Sequence, residues 1–180
     1  RVVTHVDDFL VAGEYNDVAW LRDEMLKKYE LKVQLAGWEP GDEKELSFLG
    51  RTITLSDDGV TMEGDDKHVV RLQEEWGMEA CSAVSTPYVK PTQVFETSVP
   101  NELPPKEATL FRRAAARVNY VALDRPDLSF ASRIAASKMS TPRIGDDLII
   151  KRIIRYRQGR PKVALHYDFQ ELGQDIVVLT

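Results

Sequence analysis

Residues 1–13 read RVVTHVDDFLVAG, two short apolar segments with the Asp7–Asp8 pair between them. Strand-forming residues on either side of a polar pair predict strand, tight turn, strand, with both carboxylates at the hairpin tip. Working outward, Asn16 is placed to cap a helix running to about Tyr29, with Val18, Leu21, Met25 and Tyr29 on one face and Glu24 four residues before Lys28. GWEPGDEKE, residues 37–45, is a loop by its Gly, Pro and charge content. LSFLGRTITL and GVTM then flank Ser56–Gly59, SDDG, as a second hairpin.

The pattern changes in the second half. His68–Trp76 reads as a short helix ended by Gly77, and residues 86–105, rich in Pro and turn formers, as a connector. Three helical patterns follow, Glu107–Leu123, Asp127–Met139 and Asp146–Gln158, separated by DRPD and STPRIG, whose prolines break helices. The tail DIVVLT returns to strand character. The chain is therefore expected to be α+β, with β-hairpins and a helix up to about residue 64, a helix and connector over 65–105, a basic three-helix bundle over 106–162, and a strand region over 163–180.

Charge follows the same division. The net charge of −5 conceals 10 basic and 20 acidic residues over 1–100, whereas 106–162 carries 14 basic against 5 acidic. A basic excess of that size can neutralise phosphates along a nucleic acid, or can simply be a solvated helical surface. No apolar run approaches the ~20 residues of a membrane helix. The lone Cys81 forms no internal disulfide, which favours a reducing compartment. The first residue, Arg1, and the stop at Thr180 inside an apolar run read as a piece of a longer protein.

Asp-Asp pairs also occur at 57–58, 65–66 and 146–147, in turn or helix-start settings where Asp is expected on capping grounds. Asp7 and Asp8 differ in being forced onto the rim of an apolar hairpin. Adjacent carboxylates repel, so either a divalent cation lies beside them or they form a solvated turn. Hard oxygen ligands suit Mg²⁺, which commonly binds one or two carboxylates together with substrate phosphates. Among the helical patterns, Arg112, Ala116 and Tyr120 recur every four residues and share a face, with Leu110, Ala114, Val118 and Val121 on the core face. Lys151, Arg152, Arg155 and Arg157 alternate with Ile149, Ile150, Ile153 and Ile154, which suits phosphate contact or a charged outer face.

Taken in order, HVDDFLVAG, ELSFLGRTITLSDDGVTM, RLQEEWGMEACSAVSTP, FRRAAARVNYVALDRPDLSFASRIAASKMSTP and DDLIIKRIIRYRQGRPKVALHY resemble successive segments of the copia-type retrotransposon reverse transcriptase, over nearly all 180 residues. The first looks like that family's YVDD-type catalytic hairpin, the second its primer grip, and the last three the approach to its thumb and the thumb itself. The resemblance implies the C-terminal part of a polymerase palm followed by a helical thumb, with 163–180 leading toward an RNase H domain. It implies that Asp7 and Asp8 are two of three carboxylates holding Mg²⁺ (or Mn²⁺), the third lying upstream and outside this chain. It further implies that His5, Phe48, Leu49 and Gly50 place the primer strand, and that Arg112, Ala116, Tyr120, Lys151, Arg152 and Arg155 contact nucleic acid. The expected partners are an RNA or DNA template with a DNA primer, deoxynucleoside triphosphates and the rest of a Pol polyprotein. The expected location is cytoplasmic, within virus-like particles and on no membrane, and the 180-residue chain alone is expected to be incomplete and inactive. His5 departs from the family's usual Tyr.

Two other readings compete. A nucleic-acid-binding remnant would keep the basic helices without a working acidic centre. A phosphoacceptor receiver domain would use VDD, Asp57 or Asp58 and Lys90, but needs repeated β/α alternation about a parallel sheet. His5, His68 and His166 are widely separated and have no Cys partners, which argues against zinc, and no GxxxxGK phosphate loop occurs.

Overall fold

The computed structural model describes residues 1–65, 67–90 and 102–169. Much of the proline-rich connector and the DIVVLT tail lie outside the described residues. The fold is α+β, and the chain divides into two compact units: a sheet unit, Arg1–Glu63 with the described residues from Leu165 on, and a helical unit, Gly64–Ala164.

In the sheet unit, β1 (Val2–His5) and β2 (Asp8–Val11) form a two-stranded antiparallel hairpin. The helix α1 (Tyr15–Leu26) starts one residue before Asn16 and follows Glu14, whose side chain makes no cap bond. Asn16 thus sits inside the first turn rather than capping it. The helix also stops short of Tyr29, its end closed by the amides of Lys28 and Tyr29 on the Met25 carbonyl, at 3.0 and 2.9 Å.

LSFLGRTITL is not one strand. β3 (Glu45–Phe48) and β4 (Arg51–Leu55) are antiparallel partners, with Phe48 opposite Arg51 and only Leu49 and Gly50 between them. Both turn residues have positive φ, 50° at Leu49 and 74° at Gly50, the sense of a type I′ turn that matches the twist of adjacent strands. Glycine adopts that conformation freely, while leucine does so at a cost.

β5 (Gly59–Glu63) pairs antiparallel with β4 across the expected Ser56–Gly59 turn, where Ser56 Oγ donates to Asp58 at 2.7 Å. β6 (Ala164–Asp168) completes the order β3-β4-β5-β6, so residues 164–168 join the sheet. A Cβ at Gly59 would lie 2.3 Å from the Tyr167 carbonyl oxygen, so this approach of β6 requires glycine. The antiparallel pairing of β1 to β5 removes the parallel sheet that a receiver domain needs.

The helical unit holds α2 (Lys67–Glu75), α3 (Pro105–Val121), a 3₁₀ turn (Pro126–Leu128), α4 (Ser129–Ser137) and α5 (Asp147–Gly159). Asp65 Oδ1 accepts the Lys67 amide at 2.8 Å at the start of α2, which lowers the Asp65 pKa. Pro105 opens α3, where its missing N–H costs nothing. Four helices build the bundle rather than three. Val69 and Leu72 of α2 enter the same core as Phe111, Ala114, Ala115 and Val118 of α3, Ala131 and Ala135 of α4, and Ile150, Ile153 and Ile154 of α5. Phe111 is 0% exposed at the centre, whereas Leu110 of the expected core face is only half-buried. The alanines permit close helix approach, and Phe111 fills the space they leave.

Candidate functional site

The β1–β2 register pairs Val2 with Val11, Val3 with Leu10, Thr4 with Phe9 and His5 with Asp8, which leaves a two-residue turn of Val6 and Asp7. Asp7 therefore sits in the turn, Asp8 opens β2, and His5 faces Asp8 across the hairpin. Val6 has φ 53° and is 84% exposed. A β-branched residue in the left-handed region costs on the order of 1–3 kcal/mol, and here it holds the carboxylates at the hairpin tip. Asp7 and Asp8 are exposed, and no described residue forms an ion pair or hydrogen bond with either side chain. Among the described residues, no group of three or more His, Cys, Asp and Glu side chains is arranged to hold a metal ion. Asp7 and Asp8 thus supply two adjacent hard oxygen donors, a set that suits Mg²⁺ when further oxygens come from phosphates or water.

Within the other Asp-Asp pairs, Asp58, Asp65, Asp146 and Asp147 each have a local partner. Asp58 accepts the Ser56 hydroxyl, which lowers its pKa, and Asp65 accepts a helix-start amide. Asp146 accepts the Arg143 amide at 2.8 Å, and Asp147 binds Lys151 one turn along α5 at 2.6 Å. Phe48, Leu49 and Gly50 come together at the β3–β4 turn, with Phe48 and Leu49 half-buried and Gly50 exposed.

On the helical unit, Arg112, Ala116 and Tyr120 are all exposed along α3, as their spacing predicts. Their side chains are differently engaged. Arg112 donates from Nε to the Met139 carbonyl at 2.7 Å and from Nη2 to the Ser140 carbonyl at 3.2 Å, closing the end of the α4 segment. Tyr120 packs edge-on against His68, centroids 4.8 Å apart. Arg152 donates to Thr86 Oγ1 and Arg155 to the Ser82 carbonyl, each at 2.8 Å, so both hold the segment after α2 against α5.

Nothing in the sequence marks the role of several residues that organise this unit. Arg125, 5% exposed, makes a forked bond to Asp127 at 2.9 and 2.8 Å and also donates to the Arg160 and Pro161 carbonyls. Burial pushes the Asp127 carboxyl up, but hydrogen bonds from Arg125 and Tyr156 and the Arg125 charge outweigh it, leaving the pKa below its ordinary value. Burial and the bond to Asp127 raise the Tyr156 pKa. Buried Gln73 links α2 to α5, donating to Gln158 at 2.9 Å and accepting from Arg157 at 2.8 Å. Arg125 and Asp127 are both visible in DRPD, but nothing local shows that the guanidinium reaches carbonyls 35 and 36 residues away.

Over 112 residues the chain is 30% identical to an uncharacterized mitochondrial protein of Arabidopsis thaliana, a stretch that covers 62% of this chain and 45% of that protein. The match therefore spans less than half the length of that relative. No family model matches the chain, and no solved structure matches it. No helix among the described residues is long and apolar enough to cross a membrane.

Proposed function

We propose that the chain is the palm-and-thumb portion of a copia-type retrotransposon reverse transcriptase, a protein of retroelement origin whose intact form performs template-directed nucleotidyl transfer to a DNA primer. The observation that carries this reading is the two-residue turn that presents Asp7 and Asp8 side by side, exposed and without a described partner. The β3–β4 turn supports it, because the residues that resemble a primer grip form a tight hairpin rather than a featureless strand.

In this reading Asp7 and Asp8 hold Mg²⁺ or Mn²⁺, and the metal supplies charge neutralisation at the transferring phosphate. The protein's own contribution is positional. The strained Val6 turn fixes the carboxylates relative to the strands, and His5 lies across from Asp8 where a primer end would pass. The basic helical unit is assigned to the template–primer. Deoxynucleoside triphosphates and the remainder of a Pol polyprotein complete the proposed partners. His5, standing where the family carries Tyr, favours a second reading, a nucleic-acid-binding remnant that keeps the helical unit's role without catalysis.

Mn²⁺ titration of the isotopically labelled chain tests the metal assignment. Paramagnetic broadening is expected to centre on the amides of residues 5–9 and to disappear in Asp7→Asn. Asp58 of the 57–58 pair and both members of the Asp146–Asp147 pair are engaged in turn and helix contacts, and these two pairs serve as internal controls. Equal broadening at all three pairs, or none at residues 5–9, would overturn the assignment.

A further inference from the structure

The cations of the helical unit differ in how they are held. Arg112, Lys151, Arg152 and Arg155 are each held by an acceptor within the unit. The side chains of Arg133, Lys138 and Arg143 bond to no described residue and are exposed. They fall within Leu128–Gly145, a run of 18 residues that contains no carboxylate. A phosphate approaching these cations breaks no existing ion pair, and Arg133 and Lys138 have no acidic neighbour in the segment, whereas Arg143 has Asp146 on its amide and Glu102 across a bridge.

An aromatic side chain accompanies them. Phe130, one turn before Arg133 on α4, is 62% exposed and meets Tyr88 edge-on, with ring centroids 5.3 Å apart at 73°. At 100° per residue, Phe130, Arg133 and Ser137 fall on one stripe of the helix, and Lys138 follows directly. Tyr88 fixes one edge of the Phe130 ring while much of the ring stays in water. An aromatic ring braced in that way, with cations on the next turns, suits stacking of an unpaired base while the cations take the adjoining phosphates.

We infer that the α4 stripe Phe130–Arg133–Ser137, continued by Lys138 and Arg143, binds single-stranded nucleic acid. In the proposed enzyme this would be the unpaired part of the template. The inference rests on the proposed function for the identity of that strand, and it places the contact on α4 rather than on Arg112 of α3, whose guanidinium is held by the Met139 and Ser140 carbonyls.

Fluorescence anisotropy of the 180-residue chain with a labelled primer–template bearing a single-stranded overhang, measured over a salt series, tests it. Arg133→Ala with Lys138→Ala should lower the slope of log affinity against log salt by about 0.7 per lost contact, about 1.4 together. Phe130→Ala should weaken overhang binding about tenfold, leave the slope unchanged and leave a blunt duplex unaffected. All three side chains are exposed, and an unchanged thermal melt confirms that folding is intact. If the parent chain binds the oligonucleotide but these variants keep its slope and affinity, the α4 assignment fails while the nucleic-acid reading stands. If the parent chain binds none, both fail. Binding of these residues to anionic vesicles but not to oligonucleotides would also overturn the inference.

Discussion

The two units of this chain bury their apolar residues very differently. Every buried apolar side chain among the described residues lies between Val69 and Tyr156, in the helical unit. In the sheet unit only Gly37 and Gly59 are buried, and Trp20 is 64% exposed on α1. The helical unit thus carries its own dry core, closed by the Arg125–Asp127 pair and the Gln73 links. The described sheet unit is held mainly by ladder hydrogen bonds and half-buried strands, and a two-stranded hairpin such as β1–β2 is marginal alone in water. The proposed chemistry and the proposed grip therefore sit on elements of unequal rigidity. Asp7 and Asp8 occupy a hairpin with little packing beneath it, while the cations ride on a packed bundle.

Core truncation should expose this contrast most strongly. Phe111→Ala removes a fully buried aromatic side chain and should cost about 3–5 kcal/mol. Leu21→Ala, on a helix with no buried residue, should cost no more than about 1 kcal/mol. Denaturant unfolding followed by circular dichroism measures both, and similar losses would break the contrast.

A smaller effect is expected from Asp127→Asn, which strips the buried Arg125 of its carboxylate and should cost about 2–3 kcal/mol near neutral pH, less than for a fully buried pair because Asp127 is partly exposed. The sign with pH follows from the depressed folded-state pKa of Asp127. Its contribution is complete above the unfolded value of about 3.9 and is lost as pH falls through the lower folded value. The variant should therefore show a shallower acid limb in a melting-temperature profile. Asp58, also depressed but fully exposed in the sheet unit, should leave that limb almost unchanged when replaced by Asn.

Periodicity made the helices legible, because an apolar stripe every three to four residues reports the face that a helix buries. For β1 and β2 the signal was two short apolar segments of strand-forming residues, and the Asp pair between them located the turn. The β3–β4 turn escaped notice because Leu49 is apolar and β-compatible, and only Gly50 hinted at a left-handed conformation. The place of α2 in the bundle and the return of β6 depend on contacts remote in sequence. The same applies to Arg112, whose spacing correctly placed it on the outer face of α3, while its carbonyl partners at 139 and 140 come from another element. Spacing reports which way a side chain faces, whereas its availability for a ligand is set by acceptors that only the fold brings near.

The account's central claim is a division of labour, with carboxylates for metal on the sheet unit and nucleic-acid affinity on the helical unit. The most direct measurement is the affinity of the chain for a labelled RNA–DNA primer–template before and after the double change Asp7→Asn, Asp8→Asn, at fixed salt and without divalent metal. Affinity is predicted to hold or rise slightly, because two negative charges are removed from beside the proposed path of the primer end while most of the affinity comes from the helical unit. A clear loss of affinity in the double variant would place nucleic-acid binding on the hairpin and contradict the division.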